Sequence, residues 1–576
     1  MRPPLLVNTA LRGLRLRSAP SQRLFTLNAI SRFNRLNSTV APATSESCLL
    51  PTKDKKPYYI TTPIFYVNAD PHVGHLYTLV LTDAIKRWQE FKGIAAQLCT
   101  GTDEHGIKIQ QAAATNGVEP EEFVKKGADM FKNLASTAFC SYDTFVRTTS
   151  PEHRDAVQYF WGQLERAGWI YKDKHSGWYS VGDETFYAAS QVEPSVDPST
   201  GKNITISKET GRVVEWSSEE NYHFKLSEMG PKLLEFYEKN PEFVTPGAQY
   251  EVVKQAVEKG LSDLSISRPT SRLSWGIPVP GDQSQTIYVW LDALINYITV
   301  SGYPWAPGSE HLAAWPADLH VVGKDILKFH AIYWPAFLLA LDLPLPKQIL
   351  SHAHWTMNHK KMSKSDGNVV NPFYAMERYG VDTMRFYMVH DGGINSDGDY
   401  SNDMIVERYK NELQNLGNSA GRVCGARFDI PLARDEYFKG GWKLNEVDKE
   451  VVEMAKGTAK EVEKLMEKLD VPNAVKKAMA LMHKTNQYLQ QQAPWYLVKP
   501  QQKSEQNKII FVAAECIRIT TVLLQPFMPT KAGEVLDKLN VEKEKRGFEF
   551  AKYGSDDTFG EGTKGKKGAV FPPLSE

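Results

Sequence analysis

The sequence predicts an α/β domain built on a parallel sheet, interrupted by an insertion of different texture and followed by an all-α helix bundle. Three observations carry this. Residues 58–101 read as strand, loop, helix and strand, the opening of a βαβ unit and so of a parallel sheet with helices on its faces. Between Gly168 and Lys225, glycine, serine and aromatic residues recur among short β-like runs. From about Ser401, apolar residues return every three or four positions, as on one face of a helix.

Each element has a local reason. Residues 58–62 are β-branched and aromatic, which favours a strand. A proline-punctuated loop runs from Pro63 to Pro71, and Leu76, Leu79, Val80, Ala84, Ile85 and Trp88 then have the spacing of a helix reaching Phe91. Residues 97–101 form a second short strand ending in glycine, and 107–168 read as mostly helical. In the insertion, 178–181 and 213–216 are β-like; after it, 288–291 and 319–323 read as strands that each lead toward a helical pattern. Val447, Val451, Met454, Thr458, Val462, Leu465 and Leu469 mark one face of an amphipathic helix in a bundle. The expected division is 48–168 and 226–350 as two halves of the α/β domain, 169–225 as the insertion, 351–400 as a connecting region, 401–545 as the bundle and 546–576 as a tail. The tail is charged and then glycine-rich, and is expected to dock loosely or be mobile.

Charge and cysteine content narrow the function. The 576 residues hold 68 basic and 68 acidic side chains, but 1–45 contain seven arginines, no lysine and no acid, which leaves 61 basic against 68 acidic residues elsewhere. An arginine-rich leader that lacks acids over its first 45 residues and has no continuous apolar core has the composition of a mitochondrial transit peptide, here 1–47; a plastid address shares that composition. A protein with this balance binds nucleic acid only through a local basic face. Five scattered cysteines exclude a disulfide framework. No apolar run approaches the roughly 18 residues of a membrane span, so no membrane partner is expected.

Two motifs carry chemistry. Pro71-His72-Val73-Gly74-His75 sits between the first strand and the helix. Glycine there lets a ligand approach the backbone, a helix N-terminus favours anions, and imidazoles can bond phosphate oxygens. Some 290 residues later, Lys360-Lys361-Met362-Ser363-Lys364-Ser365-Asp366-Gly367-Asn368 describes a mobile cationic loop able to neutralise a departing polyphosphate. Alone, each is weak: the first could be a helix end with two exposed histidines, the second a solvated basic turn. Metal binding at the histidines lacks a third ligand nearby in sequence.

Together, HxGH after the first strand and KMSKS after the last strand of the α/β region resemble the signatures of class I aminoacyl-tRNA synthetases. The blocks 59–68, Gly101-Thr102-Asp103-Glu104-His105-Gly106, 288–297, Gly323-Lys324-Asp325-Ile326 and Phe329-His330 are similar to those of methionyl-tRNA synthetases, over about residues 58–539, and with the leader the mitochondrial, bacterial-type form matches best. The resemblance implies a Rossmann-like catalytic domain with a connective insertion, an anticodon-binding helix bundle, and a methionine–tRNA ligase working in the mitochondrial matrix on methionine, ATP with Mg2+, and tRNA(Met). It implies catalytic and ATP-handling roles for His72, His75, Lys361 and Lys364, with Gly74, Asp325 at the ribose and Arg268 near the phosphates. Ile64, Tyr66, Trp290, Ala293, Leu294, Tyr297 and His330 match positions lining the methionine side chain, with Tyr66 or His330 able to offer the sulfur a weak hydrogen bond. Family members often have proline where Leu294 stands. Asp103 matches the carboxylate that receives the substrate ammonium. Asn418 and Arg422, one helical turn apart, and Trp495 match anticodon-reading positions. Many members hold zinc in cysteine knuckles of the insertion; 168–225 contain no cysteine, so no structural zinc and no other resident metal is expected, and the chain is expected to be a monomer. Two rivals are a small-molecule adenylyltransferase, which would lack the helical domain and Trp495, and a synthetase-derived RNA-binding factor, which would have lost signature lysines or histidines.

Overall fold

A six-stranded parallel sheet organises the first two thirds of the chain. The computed structural model describes residues 56–181, 185–197, 199–306, 314–362, 368–566 and 568–574, without the side chains of His175, Thr185 and Lys361. The 1–47 leader and Lys364 therefore lie outside the described residues. The strands are β1 (Tyr58–Tyr66), β2 (Ala96–Asp103), β3 (Thr144–Arg147), β4 (Val244–Thr245), β5 (Leu319–Gly323) and β6 (Ile349–His352), in the order β3-β2-β1-β5-β6-β4, all neighbours parallel. The chain builds outward from β1 to β3, then crosses to the far edge at β4 before β5 and β6 fill the gap beside β1. Ligands of such sheets bind outside the carboxyl ends of the strands at this switch point.

Helix α1 (Val73–Phe91) leaves β1 and buries Leu76, Leu79, Val80, Ala84, Ile85 and Trp88, the face that the sequence spacing marks. The strand is longer than its β-branched core suggests: β1 continues through Pro63 to Tyr66, with a register shift against β2 between Thr61 and Ile64. The short strand β3 interrupts the stretch expected to be mostly helical; four residues give too little alternation to be seen in sequence. The insertion is an antiparallel sheet of strands from Ile170 to Phe224, which Leu264–Ser265 joins by pairing with Val213–Phe224.

One segment changes class. Residues 288–291 are not a strand: the strand is Asp282–Ile287, and Val289–Thr299 is a helix, α2. Trp290, Ala293, Leu294 and Tyr297 stand at i, i+3, i+4 and i+7, a helical face whose apolar neighbours are also buried, so its first turn resembles a buried strand.

The helical region includes α3 (Val381–Asp391), α4 (Asn415–Val423), α5 (Glu446–Glu467), α6 (Val471–Gln492) and α7 (Lys503–Leu524). Its core is continuous with that beneath α1: Trp88 and Phe548 meet edge to face at 5.5 Å. The tail is not loose. Phe559 and Phe571 are buried, Arg434 donates to the carbonyls of Thr558 and Phe559, and Arg518 donates to those of Phe550 and Lys552. Glycine-rich composition here reflects tight turns rather than freedom: Gly560, Gly562, Gly565 and Gly568 all have positive φ.

Candidate active site and RNA-binding cleft

The histidine motif forms the first turn of α1. His72 is the N-cap; its Nδ1 accepts the Gly74 N–H at 3.1 Å, while His75 Nδ1 accepts the His72 N–H at 3.1 Å. Two helix-end donors are thereby satisfied by imidazoles. With both Nδ1 atoms accepting, each neutral ring carries its proton on Nε2. The rings stack at 3.8 Å, and His75 packs edge-on against Phe65 and Phe131. The glycine has a different use from the one its position suggested: a Cβ on Gly74 would lie 2.8 Å from the His72 ring, so it makes room for the capping imidazole.

The chain that follows the second motif returns to the same place. Lys360–Lys361 is a short strand paired with Trp355–Met357 just beyond β6. Residues 363–367 lie outside the described set, but the chain that emerges from them closes on α1: the Val73 N–H donates to Val370 O at 3.2 Å. The chain two residues beyond the lysine motif thus reaches the helix N-terminus that carries the histidine motif. Asp325, in the turn after β5, presents a half-exposed carboxylate 3.1 Å from His354 Nε2.

A cluster of aromatic residues lies beside it. Asp103 ends β2 and is register-paired with Tyr66 of β1, and Ile64 pairs with Gly101. From α2, the half-buried Trp290 lies flat on Phe329, with ring centres 3.6 Å apart and planes within 5°. Tyr297 donates its hydroxyl to His330 Nε2 at 2.6 Å, and Ala293 and Leu294 are buried behind. His330 sits in a π-helical turn, Phe329–Tyr333, a widening often found where a helix serves a site. Its Nδ1–H donates to Ile326 O at 2.9 Å, and burial lowers its pKa to about 4. The neutral ring therefore gives its one hydrogen to the backbone and uses Nε2 as acceptor. This corrects one expectation: His330 has no hydrogen left for a ligand sulfur.

Arg268 is also placed differently. It is 2% exposed in the small sheet Ser267–Pro269, Asp282–Ile287 and Pro278–Val279, with its guanidinium over the rings of Tyr179, Phe186 and Tyr288 and donating to Ser265 and Ser267 O. A phosphate would have to displace those contacts, so the position reads as a pin between the insertion and the α/β domain.

Sequence reading missed the groups beneath the aromatic cluster. Asp292, on α2, accepts from His105 Nδ1 at 2.7 Å and from His153 Nε2 at 2.8 Å, all three buried. Burial alone would raise its pKa, but the two imidazoles outweigh it and hold it at about 2. His105 lies within the Gly101–Gly106 block, yet nothing in sequence pairs it with a residue 187 positions later. His320 is similar: wholly buried, bonded to Thr61, and 4.3 Å from the Tyr297 ring.

The buried histidines predict acid lability. His330 and His352 fall from 6.5 to about 4 through burial, and His320 well below its ordinary value. An unfolded chain takes up protons at these groups first, so their contribution is present above about pH 6.5 and is lost as pH falls toward 4. At pH 5 each of His330 and His352 is expected to cost roughly 2 kcal/mol. Denaturation midpoints should fall between pH 7 and 5, and His352→Gln should flatten that slope; a pH-independent midpoint would contradict the burial argument.

The comparisons with known proteins agree on one family. The family model for class I tRNA synthetases (M) matches residues 58–424, and that for the anticodon binding domain of methionyl tRNA ligase matches 439–556. A probable mitochondrial methionine–tRNA ligase of Neurospora crassa is 52% identical, over 92% of this chain and 88% of its own. This chain belongs to the class I methionyl-tRNA synthetases. Human mitochondrial methionine–tRNA ligase is 41% identical over 85% of this chain and 84% of its own. Mycobacterium tuberculosis methionyl-tRNA synthetase, solved with methionyl-adenylate, superposes with a TM-score of 0.82 at 36% identity, covering 90% of this chain and all of that one.

A synthetase of this class also has to meet an RNA. On α4, Asn418 and Arg422 are exposed one turn apart and line a cleft of about 480 Å³ with Gly417, Gly421, Gly568 and Ala569. Trp495 is half-buried in the turn Pro494–Tyr496 that follows α6, packed against the core on one side, and next to it Tyr496 is 76% exposed. Among the described residues no group of three or more metal-binding side chains occurs, and no helix is long and apolar enough to cross a membrane.

Proposed function

We propose that the protein activates methionine with ATP as methionyl-adenylate and transfers it to the terminal adenosine of tRNA(Met) in the mitochondrial matrix. The observation that carries this is the closure of the chain after the lysine motif onto the histidine-capped end of α1, beside the aromatic cluster. In this reading the Nε2–H groups of His72 and His75 donate to phosphate oxygens of ATP, Gly74 admits the first ring, and Asp325 holds the ribose. ATP enters as its Mg2+ complex. Methionine places its ammonium on Asp103 and its thioether among Ile64, Tyr66, Trp290, Ala293, Leu294, Tyr297 and His330, where polarisable sulfur meets ring faces. Its carboxylate attacks the α-phosphate, the bond to pyrophosphate breaks, and Lys361 and Lys364 meet the charge on the leaving group. No covalent enzyme intermediate is required; positioning and fixed charge supply the catalysis. The 2′-hydroxyl of the tRNA end then takes the methionyl group.

Asn418, Arg422 and Trp495 read the anticodon, by amide and guanidinium donors and by stacking. The mitochondrial placement is supported by the mitochondrial ligases among the relatives and by the arginine-rich leader. The cysteine-free insertion supports an enzyme without structural zinc.

The test is charging of a tRNA(Met) transcript with methionine by the protein and by Trp495→Ala. A stacked base is worth about 1–3 kcal/mol, so the variant should lose roughly 5- to 150-fold in the tRNA term while adenylate formation and melting hold. If Trp495 serves only the core, melting and both activities fall together.

A further inference from the structure

The cleft that presents Asn418 and Arg422 has two walls, and the second comes from the C-terminal tail, beyond the residues matched by the anticodon-domain family. The tail is fitted to α4 by contacts along its length. A Cβ on Gly417 would lie 2.9 Å from Phe571, Gly565 N–H donates to Cys424 O at 2.7 Å, and Tyr409 donates its hydroxyl to Pro572 O. Between these points the tail is held by Lys538. This side chain is 6% exposed, its ammonium donates to Gly568 O at 2.8 Å and Lys566 O at 3.2 Å, and among the described residues no carboxylate pairs with it. A cation kept inside on two carbonyls is an expensive fastening unless the placement it enforces is used.

What it places is chemically specific. Gly568 and Ala569 line the cleft together with Asn418 and Arg422; the Gly568 carbonyl is taken by Lys538, Gly568 has φ +100°, and a Cβ there would meet open space. Lys564 and Lys566 are exposed on the same tail segment, Lys564 at 3.5 Å from Asp429 and Lys566 on Asp537 O. Polar base-edge groups inside and cations outside fit a single-stranded RNA loop, whose bases need hydrogen-bonding edges and whose phosphates need counter-charge.

We propose that residues 564–566 and 568–572 form the second wall of the RNA-reading cleft, and that Lys538 is the positioning residue that holds this wall against Asn418 and Arg422. The inference rests on the anticodon role of α4 proposed above. Gly568 and Ala569 contact the RNA through the backbone, Lys564 and Lys566 contact its phosphates, and Lys538 acts through the tail rather than on the RNA.

The test uses the full chain, tRNA(Met) transcript and methionine. Lys538→Met should raise the KM for tRNA about tenfold, with kcat and methionine-dependent pyrophosphate exchange within twofold, and Lys538→Arg should recover most of the loss. Lys564→Ala with Lys566→Ala, both on the surface, should weaken the salt dependence of the tRNA KM, since each single-strand phosphate contact contributes a slope of about 0.7 in log–log form. Arg422→Ala is the reference. If it raises the tRNA KM while Lys538→Met and the double variant leave both KM and salt slope unchanged, the tail is not a wall of the site. If Arg422→Ala is also without effect, the anticodon reading of α4 itself is wrong. Should Lys538→Met unfold, the surface double variant decides, because an unchanged salt slope there overturns the proposal.

Discussion

Lys364→Ala is expected to slow adenylate formation by about 10²–10³ while leaving methionine affinity nearly intact. In the proposed mechanism its ammonium acts when the bond to pyrophosphate lengthens and negative charge moves onto the departing oxygens. Interactions made only then lower the barrier without tightening substrate binding. The chain that follows the lysine loop is fastened to α1 by the Val73–Val370 hydrogen bond. Pyrophosphate exchange and equilibrium methionine binding on one preparation read the two effects separately. An unchanged exchange rate would remove Lys364 from the catalytic step, and a matching loss of methionine affinity would make it a binding residue instead.

Arg385→Met is expected to cost about 3–5 kcal/mol of stability. Arg385 and Asp83 are both wholly buried, with Nη2 donating to Oδ2 at 2.6 Å. The same guanidinium donates to Ala138 O at 2.9 Å and to Phe527 O at 3.2 Å, so one side chain on α3 ties α1, the segment before β3 and the turn after α7. Burial would raise the Asp83 pKa, but Arg385, Arg87 and Ser141 outweigh it and keep it below its ordinary value. Removing the arginine leaves three carbonyls without this donor and the buried Asp83 carboxylate with only Arg87 and Ser141. Exchange and tRNA charging should then fall together with the denaturation midpoint, unlike the divided effects expected of Lys364 and Trp495. Adding Asp83→Leu should recover part of the loss, because the desolvated charge goes with it; no recovery would mean that the damage is steric.

How much of this was legible in the sequence depends on how local each signal is. Strand β1, helix α1 and strand β5 follow from β-branched runs and helical spacing within a dozen residues. The two motifs can be read from residue types alone, and so can their meeting once a family resemblance supplies it. The pocket helix α2 was harder: its first residues are as apolar as a buried strand, and only the spacing through Tyr297 reveals the helix. What sequence could not show were contacts set by the fold. The use of Gly74 depends on a rotamer of His72, and the His105–Asp292–His153 cluster joins three segments far apart in the chain. Arg268 belongs to a matching motif, yet three aromatic rings enclose it. The tail misled because glycine and lysine usually mean solvated chain; here positive-φ turns and Phe571 dock it.

The central claim is that one pocket, closed by the two motifs, selects methionine and joins it to ATP. Pyrophosphate exchange measured with each of the twenty amino acids tests it most directly. Exchange dependent on methionine, and lost in Lys364→Ala, is the predicted result. Exchange with a different amino acid, or none with any while the protein remains folded, would contradict it.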